Sequence, residues 1–188
     1  MQIIDDVLPE EDYERLWTTM IGNDFAWYFA LTKVRNYVGE EDDANTLSNS
    51  HPHNCQLCHS FHADDTVISK HWHLTEGIRQ RLQASAYLRV KANMTLATSI
   101  ALETKMHIDF GDVTGYKTAI YYVNSNDGYT KFETGEVVES VGNRLVIFDG
   151  RTKHCGSTHT NQKYRIVINF NYFSNIIPDF EYPEIAPY

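Results

Sequence analysis

The chain has 188 residues, 42% hydrophobic and 22% charged, which is enough apolar material for one domain of ordinary size and too little charge for a disordered polyelectrolyte. A formal net charge of −9 disfavours passive adhesion to nucleic acid or anionic lipid. The start Met1-Gln2-Ile3-Ile4-Asp5-Asp6 lacks a basic region and an apolar run, no stretch approaches the ~18 apolar residues of a membrane span, and three cysteines cannot all pair within one chain, so a soluble, cytoplasmic protein is expected.

Residues 9–21 carry Tyr13, Leu16, Trp17, Met20 and Ile21 at helical spacing. Pro9 suits the first position, Glu10, Glu11 and Asp12 complement the positive end of the dipole, and Gly22-Asn23 closes the helix. Trp27-Tyr28-Phe29 reads as a short strand whose aromatics belong to the core before a substrate platform. Residues 39–66, rich in Asp, Asn, Ser and His and without a period, read as a long loop, and the span of about 27–62 is natural material for a lid. A second helix is predicted over 68–86, with Trp72, Leu74, Ile78 and Leu82 inward and Gly77 carried at a cost in propensity.

From Tyr87 the texture changes to short β-rich runs at 87–95, 103–109, 117–123, 136–139, 144–148 and 163–173, punctuated by Gly111, Asn126-Asp127-Gly128 and Gly142-Asn143. That pattern predicts a mainly β domain with flanking helices, a sandwich or jelly roll with the helices on the outer face of one sheet. One domain over 1–188 is expected, with 1–86 as helical support and lid, 87–173 as the jelly-roll core and 174–188 as a C-terminal tail.

Chemistry concentrates in the β half. His107 and Asp109 stand two residues apart at the end of a predicted strand, where alternation sends both to one face. His154 follows the apolar run Leu145-Val146-Ile147-Phe148. Two imidazoles and one carboxylate are the ligand set of non-haem iron(II) sites that leave coordination positions open. Eleven residues beyond His154 stands Arg165, on a strand whose alternation turns Arg165, Val167, Asn169 and Asn171 one way and Ile166, Ile168 and Phe170 the other. An arginine turned into a barrel is costly unless it meets an anion, and its planar fork suits a carboxylate. The bland alternative is an edge-strand arginine bonded to a surface acid.

These residues, with Ala119-Ile120-Tyr121-Tyr122-Val123-Asn124 and Asn143-Arg144-Leu145-Val146-Ile147-Phe148-Asp149 between them, resemble the iron(II)- and 2-oxoglutarate-dependent dioxygenases, in particular the short stand-alone prolyl-4-hydroxylase-like type of bacteria and phages. The likeness covers about residues 87–173. It implies a double-stranded β-helix (cupin-like jelly roll) with iron on His107, Asp109 and His154 as catalytic metal ligands. It places Arg165 on the distal carboxylate of 2-oxoglutarate, Tyr122 in support of that arginine and Asn93 as a further 2-oxoglutarate contact. Thr95 replaces the tyrosine that accompanies such an asparagine in some nucleic-acid-repair members. The implied cofactors are Fe(II), 2-oxoglutarate and O2, with ascorbate in support. The implied reaction is hydroxylation of a peptidyl or free amino-acid side chain such as proline, with release of succinate and CO2; retention of Asp109 speaks for hydroxylation over halogenation. A nucleobase or small metabolite as substrate, and a non-catalytic metal-binding jelly-roll module that binds a partner protein, stand as rival readings. Nucleic acid is disfavoured as a partner by the net charge, and no membrane partner is expected.

His51-Pro52-His53-Asn54-Cys55-Gln56-Leu57-Cys58-His59 invites other assignments. Its Cys-x-x-Cys-His spacing is that of c-type haem attachment, which takes place outside the cytoplasm, and Cys55 and Cys58 with two histidines would make a zinc site. The adopted reading is a polar loop beside the mouth of the site. His71, His73 and His159 read as surface or capping histidines, and Cys155 as a packed thiol.

Overall fold

The long C-terminal strand sets the architecture, because its alternating apolar and polar residues must be buried on two different faces. A computed structural model describes residues 1–31, 47 and 51–174. In chain order these form β1 (Gln2–Ile4), α1 (Glu10–Met20), β2 (Tyr28–Ala30), β3 (Gln56–Ala63) and β4 (Thr66–Val67). A 3-10 turn, Trp72–Thr75, then runs into α2 (Glu76–Leu82). Seven strands follow: β5 (Ala86–Leu96), β6 (Lys117–Tyr122), β7 (Tyr129–Phe132), β8 (Val137–Glu139), β9 (Arg144–Asp149), β10 (His154–Gly156) and β11 (Tyr164–Phe173). The large sheet has the order β1-β9-β6-β11-β5-β3-β2, with β4 on β3, and the small one β10-β7-β8. Isolated antiparallel bridges Glu103↔Ser157 and His107↔His154 extend the small sheet. Two antiparallel sheets wound in this way are a double-stranded β-helix, the fold expected from the sequence.

Strand β11 lies at the centre of the large sheet, paired with β5 over ten register positions and with β6 over six. Ile166, Ile168 and Phe170 join the larger core with Leu16 and Met20 of α1 and Ile78 and Leu82 of α2. Val167 joins the smaller core between the sheets, with Ile120, Tyr122, Phe132 and Phe148. Burying a side chain such as Ile168 stabilises the fold by about 1.5–3 kcal/mol, so the helices hold the outer face shut while the inner face is left to line a cavity. Gly77 has a packing reason to sit in α2, since a Cβ there would stand 2.5 Å from Leu8 Cδ2.

Several expectations are corrected. Residues 56–63 are not loop but strand β3, paired with β5 on one side and β2 on the other, so with β1 and β4 four strands that precede β5 join the large sheet. A lid over 27–62 therefore does not include β3; residues 32–46 and 48–50 lie outside the described residues, as does the expected tail beyond Ser174. The period-2 signal of β3 is masked by its polar residues, of which His59 and His62 are nonetheless buried. The second helix is shorter than predicted because Gln83 adopts a left-handed conformation, φ 46°, and closes it. Residues 103–109 make bridges without a regular strand. Tyr28 and Phe29 are each 66% exposed and are not core, and Ile21 is also exposed. His159 is fully buried, its Nε2 bonded to Gln162 O at 3.0 Å, so it braces a loop from inside.

Asn143 ties the N-terminal segment to the barrel. Its Oδ1 accepts from Leu8 N–H at 2.9 Å and from Tyr121 Oη–H at 2.8 Å, while its Nδ2 donates to Leu8 O at 2.8 Å. It does so at φ 63°, a conformation asparagine tolerates. Asn143→Ala leaves three buried partners unpaired, and equilibrium urea unfolding should show a loss of about 3 kcal/mol. Asn143→Gly, which relieves the backbone, should remain at least about 2 kcal/mol below the parent; a loss under about 1 kcal/mol in both would remove Asn143 from this role.

Candidate functional site

Antiparallel pairing of residues 103–107 with β10 brings two of the candidate ligands side by side. His107 N–H donates to His154 O at 2.9 Å and His154 N–H to His107 O at 3.0 Å. This reciprocal pair sets the two rings 4.9 Å apart between centroids. Asp109 follows, and the ligand atoms of His107, Asp109 and His154 all lie within 4.8 Å of one another. Each histidine uses Nδ1 on a backbone carbonyl two residues earlier, His107 on Lys105 O at 2.9 Å and His154 on Thr152 O at 3.1 Å. Those bonds place the proton on Nδ1 and leave each Nε2 lone pair for a cation.

Asp109 is held at both oxygens. Asn171 Nδ2 donates to Oδ2 at 2.7 Å, and Arg89 Nη2 lies 3.2 Å from Oδ1. Burial pushes the Asp109 carboxyl up, but Arg89, the two histidines and Asn171 together outweigh it and hold the group below its ordinary value. Burial also draws His154 below the usual imidazole value, against the pull of Asp109. The site therefore offers one carboxylate and two imidazole Nε2 atoms, a donor set that suits iron(II) and leaves open positions.

Arg165 reaches the same cavity from β11. It is 5% exposed, its Nε donates to Ser140 Oγ at 2.7 Å and its Nη2 to Tyr129 O at 3.3 Å. Gly128 makes room for it, because a Cβ there would stand 2.7 Å from Arg165 Cδ. Burial lowers its pKa, and among the described residues no carboxylate offsets that. Tyr122 presents its ring 5.7 Å from the guanidinium carbon, while its hydroxyl donates to Thr130 Oγ1 at 2.8 Å. Tyr122 thus supports the arginine with its ring from behind and does not line the cavity.

The cavity has a volume of about 530 Å³ and contains His107, Asp109, His154, Arg165 and Asn93 in its walls. One wall is the paired β5–β11 ladder, whose inward rungs are Thr95↔Arg165, Asn93↔Val167, Lys91↔Asn169 and Arg89↔Asn171. Thr95 Oγ1, Asn169 Oδ1 and Arg89 Nε on this wall are buried without a hydrogen-bond partner. Arg165, which no carboxylate faces among the described residues, stands across the ladder from the unpartnered Thr95 hydroxyl, an arrangement that fits a ligand carboxylate. Sequence reasoning missed Arg89, Lys91 and Asn171 as site residues. The signal was present, since placing Asn93 inward on a strand also turns Arg89 and Lys91 inward. Cys58 sits on β3 opposite Asn93 and donates to its Oδ1 at 3.5 Å, and Cys55 Sγ lies 3.8 Å from Pro52 O.

No protein-family model matches the chain, and no curated protein matches its sequence. Solved structures do match its fold. A prolyl-4-hydroxylase from Pseudomonas putida aligns over 93% of this chain and 92% of its own with a TM-score of 0.53 at 13% identity. A prolyl hydroxylase from Trichoplax adhaerens, solved with a hypoxia-inducible-factor peptide fragment, aligns over 92% of this chain and 82% of its own with a TM-score of 0.56 at 13% identity. AviO1 from Streptomyces viridochromogenes Tue57 aligns over 91% and 88% with a TM-score of 0.56 at 15% identity. The chain shares the double-stranded β-helix of these proteins. No helix among the described residues is long and apolar enough to cross a membrane.

Equilibrium dialysis against manganese(II) under argon should give one bound ion per chain. His107→Ala, Asp109→Ala and His154→Ala should each lose it while keeping the near-ultraviolet dichroism of the parent. Asn171→Ala, which frees one oxygen of Asp109, should weaken binding about 10-fold or more. Full retention of the ion by any of the three ligand variants would strike that residue from the site.

Proposed function

We propose that this chain, folded as prolyl-4-hydroxylase-like oxygenases are, is an iron(II)- and 2-oxoglutarate-dependent hydroxylase acting on a peptidyl or free amino-acid side chain and releasing succinate and CO2. The observation that carries this reading is the convergence, in one cavity, of a two-histidine, one-carboxylate cluster with a buried arginine that lacks a carboxylate partner among the described residues. A binding module has no use for the second feature. A peptidyl substrate is supported by the peptide held in the Trichoplax neighbour.

In this reading His107, Asp109 and His154 hold iron, which, when bound, supplies the oxidising chemistry by which oxygen and 2-oxoglutarate are consumed. The protein supplies orientation and charge. Arg165 takes the distal carboxylate of 2-oxoglutarate through its fork, with Thr95 Oγ1 across the ladder as a second donor. Ser140, Tyr129 O and the Tyr122 ring fix the guanidinium before the ligand arrives, so little ordering entropy is spent on binding. Arg89 and Asn171 keep Asp109 ionised and oriented, and the two backbone carbonyls keep both imidazoles in the ligating tautomer. Ile120 and Val167 line the cavity near these groups and keep part of it apolar.

Arg165→Met removes the partner of a buried carboxylate, so the 2-oxoglutarate concentration for half-maximal succinate formation should rise at least tenfold. Arg165→Lys should recover part of the loss, because one point charge cannot reproduce the fork. An unchanged 2-oxoglutarate requirement in Arg165→Met would place the co-substrate elsewhere.

A further inference from the structure

The charges on the cavity wall do not balance once the proposed ligands are in place. Among the described residues the wall carries three basic side chains, Arg89, Lys91 and Arg165, and one carboxylate, Asp109. This excess lies inside a chain whose net charge is −9, so it is a local construction and not a reflection of composition. A divalent ion is neutralised by Asp109 and the near carboxylate of 2-oxoglutarate, and Arg165 by the distal one. Arg89 and Lys91 then remain as two positive charges with Asp109 already committed to the metal. Retaining uncompensated cations in a partly desolvated cavity is costly unless another anion is to be bound there.

Their placement is specific. Lys91 and Arg89 occupy successive inward positions of β5, about 7 Å apart, and face Asn169 and Asn171 across the ladder. Among the described residues Lys91 makes no ion pair with a carboxylate, its side-chain partner being the Cys58 thiol; burial lowers its pKa, Arg89 adds to that, and Cys58 and Asp109 only partly offset it. Beside it Asn169 Oδ1 and, on the next rung, Arg89 Nε are buried with no partner. Arg165 instead points toward Ser140 and the β7 backbone, so the two basic groups are served by different sides of the cavity.

We propose that Lys91, with Arg89 and Asn169, forms a second anion subsite that binds a carboxylate of the substrate itself, so that the substrate is an anionic molecule and not a neutral peptide segment. This rests on the oxygenase reading for its choice of site occupants and narrows the substrate class of that reading. The carboxylate is that of a free amino acid or of an acidic side chain within a peptide. Either would meet Lys91 and Arg89 as donors, and an amine or amide N–H of the same substrate would satisfy Asn169 Oδ1.

The test uses the full chain saturated with manganese(II) and 2-oxoglutarate under argon, with melting temperature as the readout. One arm adds the free L-amino acids and their carboxamides; the other adds tripeptides blocked at both ends with Asp, Glu, Asn, Gln or Pro at the centre. Carboxylate-bearing compounds of one arm should raise the melting temperature, and the responding arm identifies the source. Their amides should not. Lys91→Met should weaken the response at least tenfold in concentration, and Lys91→Arg should retain it, which separates lost charge from a damaged fold. The proposal is overturned if no carboxylate compound stabilises the chain, if neutral compounds do so equally, or if the response survives in Lys91→Met. It is equally overturned if Lys91→Met weakens binding of 2-oxoglutarate alone, which would assign Lys91 to the co-substrate. Failure of the parent protein to bind 2-oxoglutarate would instead defeat the oxygenase reading, since the carboxylate arms can still respond without it.

Discussion

Pairing of β5 with β11 is the constraint on which the rest of the structure depends. Ten register positions join these two strands, and each rung sends one pair of side chains outward and the next pair inward. The outward pairs are apolar and are covered by α1 and α2, which supplies most of the buried surface. The inward pairs are nearly all polar or charged, and such groups are stable inside a protein only with partners. The small sheet provides some of them, Ser140 and Tyr129 for Arg165, while Asp109 is provided for Arg89 by the segment that follows the His107 bridge. What remains unpaired on that wall defines what the cavity is built to receive.

The same constraint explains what could be read from the chain. Strands β6, β9 and β11 announce themselves because each is apolar on at least one face, and the helix α1 because Leu16 and Met20 recur at its period. The grouping of His107, Asp109 and His154 was legible because three residues of metal-binding types at the ends of β-rich runs carry a recognisable pattern. Strand β3 was not, since Cys58 and Ser60 face Asn93 and Lys91 of β5 and His59 and His62 are buried through specific contacts and not through hydrophobicity. His59, for example, bonds Ala26 O and Ser69 Oγ, each at 2.7 Å. Tyr28 and Phe29 misled in the opposite sense, aromatic yet exposed on a strand at the end of the sheet order. Arg89 and Lys91 escaped because a charged residue on a strand reads as surface until its neighbour on the same face is known to be inside.

A consequence for function is that the cavity separates three tasks by wall. The 103–109 segment and β10 present the candidate ligand cluster, the small sheet fixes Arg165, and the middle of β5 presents Lys91 and Asn93 to the space beside that cluster. Each wall is anchored by backbone pairing, so the groups are positioned before ligands arrive and the cost of ordering them is met in folding. Lys91 and Asn93 can therefore be changed without touching the two histidines, which hang on a different sheet, whereas Arg89 on the same face of β5 pairs with Asp109.

The most direct test of the central claim is a crystal structure of the chain grown under argon with manganese(II) and 2-oxoglutarate, with the ion located by its anomalous signal. The expected result is a single ion about 2.0–2.3 Å from His107 Nε2, His154 Nε2 and one Asp109 oxygen, with the distal carboxylate of 2-oxoglutarate in the fork of Arg165. An ion held elsewhere, or an ion at these three residues with 2-oxoglutarate absent from Arg165, would contradict it.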